Sequence, residues 1–183
     1  MANLEKTINV SGTSIRITNE MSQQFEGDVI ITDPCYFIKD EIWSALCSQA
    51  WFDNGKNTPF TDGGTLYYNG ATILYSSTAN GDGTYDVIEV DGIRHSSFGV
   101  DAGMMAVVTR EDLEKIANED FAIDTLCAYV EDFHGMVDAD GEGNFLGNLE
   151  VWTDGSKEEE EEDSMWDDDE EDDDYSHRDD DRY

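Results

Sequence analysis

Basic residues are scarce in this chain. Its 183 residues hold 10 Lys and Arg against 44 Asp and Glu, a formal net charge of −34. Phosphate backbones and anionic lipid heads are held by basic side chains, so such a surface repels both. That argues against direct nucleic-acid binding and against membrane binding. It leaves a basic protein, or a basic groove built for DNA, as the natural partner. Adaptation to high salt, or plain solubility, accounts for the same acidity equally well. Cysteine is scarce too. Cys35, Cys47 and Cys127 are widely separated and odd in number, as expected of thiols in a reducing cytoplasm. No apolar run approaches membrane-spanning length, and the opening MANLEKTINVSG lacks an apolar core segment, so a cytoplasmic location is expected.

The acids fall into two parts. Residues 157–183 carry 17 acids against Lys157, Arg178 and Arg182, a net of −14; residues 1–156 carry 27 acids and seven bases, a net of −20. The body is therefore strongly acidic on its own. Composition changes abruptly after Trp152, and the run SKEEEEEDSMWDDDEEDDDYSHRDDDRY follows. Such a run buries too little apolar surface to offset its ordering entropy, so 156–183 is expected to be a disordered acidic tail beside a single domain at 1–155. Its carboxylates, among them Glu158, Glu162, Asp169, Glu171 and Asp174, are candidates to meet a basic partner. Trp166, Tyr175 and Tyr183 add stacking or pocket anchors that charge alone lacks.

Within the body, KTINVSG and SIRITN predict a hairpin turned at Ser-Gly. In GDVIITDPCYFI, Val29, Ile30 and Ile31 predict a buried strand that Pro34 ends or redirects. Apolar residues at Ile42, Trp43, Leu46, Cys47, Ala50 and Trp51 form a helical stripe, with Asp40 as the expected N-cap. GTLYYNGATILYSST predicts a type I′ hairpin at Asn69-Gly70. TYDVIEV, GIRHSSFGV and AGMMAVVT predict further strands. Thr109 should then cap a short helix, with Asp112 in a weaker form of the capping box. TLCAYVEDFHGMV and NFLGNLEVWT predict a closing hairpin across DADGEG. Many short strands, two helices and no regular alternation predict an α+β fold, a mostly antiparallel curved β-sheet with two short helices.

Two stretches, GDVIITDPCYFI…W (residues 27–43) and STANGDGTYDV…GVDAGMMAVV (residues 77–108), resemble a pattern of small uncharacterised phage and bacterial proteins. In these a strand ending in Asp-Pro-Cys-Tyr precedes a Trp-containing helix, and a Gly-Asp-Gly turn and a Val-Asp-Ala-Gly strand follow. The resemblance covers about 120 residues, implies a phage-encoded accessory protein, and implies no reaction. The tail lies outside it.

The same motifs hold the candidate chemistry. If their strands are neighbours, Asp33, Cys35, Tyr36, Asp82, Asp101 and Gly103 share a ligand pocket, and an Asp33–Asp101 pair suits acid–base or metal chemistry. The simpler reading carries more weight: Asp33-Pro34 makes a turn and Asp101 satisfies loop amides. Cys35 as a nucleophile needs a base, and His95 and His134 are the candidates, in no protease-like context. DADGEGN sets Asp138, Asp140 and Glu142 at alternating positions as in a calcium loop, but position twelve is Leu149 and the flanks read as strands, so a hairpin loop is preferred. NGDGTYD fails the same test. Tyr67, Tyr68, Tyr75, Tyr85 and Phe98 read as core and cross-strand partners before a binding face.

The leading expectation is a non-enzymatic, phage-encoded interaction protein. It would inhibit a host nuclease, restriction or defence enzyme, or DNA-binding protein by charge mimicry of DNA. One alternative is a small-molecule binding protein with its pocket around Asp33, Cys35 and Asp101. Another is a hydrolase or metal enzyme at the same residues. No catalytic residue and no cofactor is assigned.

Overall fold

The structure is a computed structural model that describes residues 3–89, 94–117, 121 and 127–155. The chain opens with β1 (Glu5–Val10) and β2 (Thr13–Thr18), joined at Ser11-Gly12, both with positive φ. The long strand β3 (Ser22–Thr32) follows, then a 3₁₀ turn at Pro34–Tyr36, helix α1 (Asp40–Leu46) and a π turn at Cys47–Trp51. A short hairpin, β4 (Phe52–Asp53) and β5 (Lys56–Asn57), precedes β6 (Gly63–Tyr68) and β7 (Ala71–Ser77). Next come β8 (Gly83–Glu89), β9 (Arg94–Val100), β10 (Met104–Thr109) and helix α2 (Arg110–Ile116). The described chain closes with β11 (Ala128–Ala139), β12 (Asn144–Gly147) and β13 (Leu149–Trp152).

Eleven strands make one sheet in the order β1-β2-β6-β7-β10-β3-β11-β12-β13-β8-β9, and every described pairing is antiparallel. The sheet is not closed, but β9 returns against β3 and β11, where Tyr129 N donates to Ser96 Oγ (3.3 Å). This return gives the central strands two buried faces. Ile30, Ala106 and Val108 face a core shared with α1, the π turn and α2, while Val29, Ile31, Met105 and Val107 face a second core with Val87, Phe98 and Phe145. Burial on both faces explains why β10 and the Val29–Ile31 end of β3 read as unbroken apolar runs and not as alternations.

The α+β class, the mostly antiparallel sheet and the two short helices follow the sequence expectation. The turn at Asn69-Gly70 has φ of 51° and 80°, the positive values a type I′ hairpin needs and Gly tolerates at no steric cost. Thr109 caps α2 by accepting from Asp112 N (3.1 Å); the Asp112 carboxylate turns instead to Thr72 N (3.1 Å) and Lys115 (3.1 Å).

Two expectations need correction. Lys39, with extended ψ of 143°, occupies the N-cap of α1 and makes no side-chain cap bond. Asp40 is already helical, and there its carboxylate, with Glu41, favours the positive end of the helix dipole. NFLGNLEVWT is not one strand. Gly147, at φ 109°, folds it at Asn148 into β12 and β13, so the closing hairpin is a three-stranded meander. The expected tail, 156–183, lies outside the described residues.

Candidate functional site

Asp33 follows β3 directly and is completely buried. Its Oδ1 accepts from Cys35 N (2.9 Å), which fixes the 3₁₀ turn that Pro34 begins. Its Oδ2 accepts from Asp101 N (2.9 Å) and Ala102 N (2.6 Å). The antiparallel ladder places it there: Thr32 pairs with Ala106, so the residue after β3 meets the chain entering β10. Gly103 O accepts in turn from Thr78 N (2.9 Å), and Thr78 Oγ1 and the Tyr85 hydroxyl both donate to Gly81 O (2.8 Å each). The Asp33 turn, the Gly81 turn carrying Asp82, and the Asp101–Gly103 turn are thus tied together.

The six predicted residues are therefore neighbours, and the carboxylate at their centre, that of Asp33, is taken up by the backbone. Asp33 binds the Asp101 amide, not its carboxylate, and spends both oxygens on three backbone N–H groups. Burial pushes the half-buried Cys35 thiol well above its usual range, and the carboxylates of Asp33, Asp101 and Asp82 add to this. Burial, then Asp101, pushes the Tyr36 phenol up to about 12. Both groups are held protonated near neutral pH, the opposite of what an activated cysteine nucleophile requires. His134 cannot serve Cys35, because it pairs with Glu26 (3.3 Å) across the far end of β3. The His95 side chain lies outside the described ones.

Asp140 closes its own loop. Its Oδ1 accepts from Glu142 N (2.8 Å) and Asn144 N (3.0 Å), and its Oδ2 from Asn144 Nδ2 (2.9 Å). Asp138 is bonded to the Ser22 hydroxyl on the neighbouring strand, and Glu142 is exposed. Among the described residues, no three His, Cys, Asp or Glu side chains are placed to hold a metal ion. Of the aromatics, Tyr68, Tyr75 and Phe98 are core residues, Tyr85 packs on Phe98 across the strand pair, and Tyr67 lies beneath the Arg16 guanidinium (4.2 Å). Glu158, Glu162, Trp166, Asp169, Glu171, Asp174, Tyr175 and Tyr183 lie outside the described residues.

A second arrangement joins residues too far apart in sequence to form any local pattern. Glu26, Asp28, Arg110, Glu111 and Glu114 line a concavity of about 280 Å³ where β3 meets the start of α2. A bulge in β11 between Val130 and Phe133 shapes its neighbourhood. There Asp132, at φ 52°, donates its amide to Asp28 Oδ1 (3.1 Å), and the Tyr129 hydroxyl donates to Asp28 Oδ2 (2.6 Å). The hydroxyl first, and then the amide, hold Asp28 below its usual range, so it stays ionised. Arg110 is the single cation among the lining residues. It is engaged by Glu114 (3.7 Å) and by the Tyr129 hydroxyl (3.3 Å). Four carboxylates around one occupied guanidinium favour an incoming Lys or Arg side chain.

The chain matches no known protein family, no curated protein and no solved structure. No helix among the described residues is long and apolar enough to cross a membrane.

Proposed function

We propose that this is a non-enzymatic acidic interaction protein whose carboxylates take the place of nucleic-acid phosphates against a basic protein. The observation that carries the reading is the concavity of Glu26, Asp28, Glu111 and Glu114, whose one lining cation is already engaged, on a body of net charge −20. Asp28 is fixed by two donors, so it meets a partner with little loss of side-chain freedom. Residues 157–183 add −14 and carry Trp166, Tyr175 and Tyr183 as aromatic anchors. The resemblance to small phage proteins gives the setting: a basic host nuclease, restriction or defence enzyme, or DNA-binding protein, met in the host cytoplasm, where Cys35, Cys47 and Cys127 remain thiols.

An affinity capture from host lysate tests the concavity. The wild-type chain should retain a basic protein that DNA competes away. The variant carrying Glu26→Gln, Glu111→Gln and Glu114→Gln together should retain much less of it. Equal retention by this variant would remove the concavity from the interface.

A further inference from the structure

Asn-Gly occurs three times in the chain, at 54–55, 69–70 and 80–81. An asparagine before glycine can lose its side-chain amide without an enzyme. The glycine amide nitrogen gives its proton to hydroxide and attacks the asparagine Cγ. The Cγ–Nδ2 bond breaks, and the nitrogen leaves as ammonia with a proton from water. The cyclic succinimide then takes up water and opens to aspartate or isoaspartate. Glycine favours the attack because no Cβ shields its nitrogen and its backbone turns freely. Ring closure needs rotations about the asparagine's own bonds, so a folded segment must open locally before it reacts.

All three asparagines are exposed, but their settings differ. Asn69-Gly70 joins β6 and β7, which pair at six positions from Gly63↔Ser76 to Tyr68↔Ala71. Tyr68 and Ala71, on either side of the turn, are 4% and 2% exposed, so opening it disturbs the core. Asn80 is held by its own carboxamide, whose Nδ2 donates to Thr153 O (2.6 Å), and Gly81 O accepts from the Thr78 and Tyr85 hydroxyls. Asn54-Gly55, at φ of 52° and 79°, turns the β4–β5 hairpin, which pairs at two positions and forms a sheet apart from the eleven strands. Every residue from Phe52 to Asn57 is exposed. An isolated two-stranded hairpin is marginally stable at best. The chain on either side is pinned where the Thr58 and Thr61 hydroxyls donate to Ala50 O and Trp51 O, so the tip can open while the body stays folded.

We propose that Asn54 is a site of spontaneous deamidation in the folded protein, and that the fold protects Asn69 and Asn80. Each event turns a neutral carboxamide into a carboxylate next to Asp53, so an acidic chain becomes more acidic still. The isoaspartate product also lengthens the backbone at the turn that sets the Asp53↔Lys56 pairing.

Native full-length protein, kept at mildly alkaline pH in heavy-oxygen water and then mapped by peptide mass spectrometry, tests this. The peptide holding position 54 should take up one water oxygen, partly as isoaspartate, at least about tenfold faster than those holding positions 69 and 80. In chain unfolded by guanidinium the three rates should converge, because all three asparagines precede glycine. Conversion at position 69 or 80 as fast as at position 54 in native protein would overturn the proposal. So would an unconverted position 54 in native protein. A preference for position 54 that persists unchanged in the unfolded chain would assign it to the flanking sequence and not to the fold, and would overturn the proposal as well.

Discussion

Asp33 carries more backbone than any other described side chain at the motif it belongs to. Its replacement by Ala strands three N–H groups, two of them in a turn that also supports Thr78. A loss of about 3 kcal/mol is expected in chemical denaturation, with a smaller loss for Asp33→Asn, which keeps one acceptor. Cys35 and Tyr36 titrate accordingly. In native protein at about pH 8, Cys35 should alkylate far more slowly than an open thiol, because burial and three carboxylates disfavour its thiolate. Tyr36 ionises near 10.0 when unfolded and is held neutral to about 12 when folded. Its contribution to stability is complete below pH 10 and is lost as the pH rises towards 12. Denaturation midpoints measured from neutral to alkaline pH should fall over that window, and Tyr36→Phe should make the fall shallower. Asp-Pro-Cys-Tyr was legible as a turn, because Pro34 fixes φ and Asp33 accepts from its own loop. That Asp33 also caps Asp101 and Ala102 follows from the β3–β10 register, which no local pattern encodes.

Elements with a local cause could be read from the sequence. Asn69-Gly70 and Ser11-Gly12 announced their hairpins, and Thr109 announced α2. Where two local signals competed, the tertiary structure chose. Asp40 has the better capping side chain, yet the chain enters α1 at Lys39. The run NFLGNLEVWT suits a strand throughout, yet Gly147 breaks it because β13 must turn back to pair with β8. The concavity of Glu26, Asp28, Glu111 and Glu114 was not legible, because β3 and α2 are brought together only by the sheet order. This gives α2 a functional test. Thr109→Ala removes the cap of a seven-residue helix and should cost about 1 kcal/mol in chemical denaturation. Because α2 supplies Glu111 and Glu114, the same variant should weaken partner capture while the Asp33 turn stays intact.

At the scale of the whole molecule, the charge has two origins: residues 157–183 with −14 and residues 1–156 with −20. Exposed acids occur on many elements, including β1, α1, α2 and β11, and plain solubility accounts for most such positions. What sets the concavity apart is convergence, since its carboxylates share one site and Asp28 is fixed by hydrogen bonds. The central claim is that the folded body, aided by residues 156–183, holds a basic partner by charge. The most direct measurement compares affinity capture by the full chain and by a chain ending at Gly155, each over a series of salt concentrations. The account predicts that the shortened chain binds the same basic protein more weakly, and that added salt releases it from both. Capture that is indifferent to salt would contradict the account, and complete loss on shortening would return the function to the final residues.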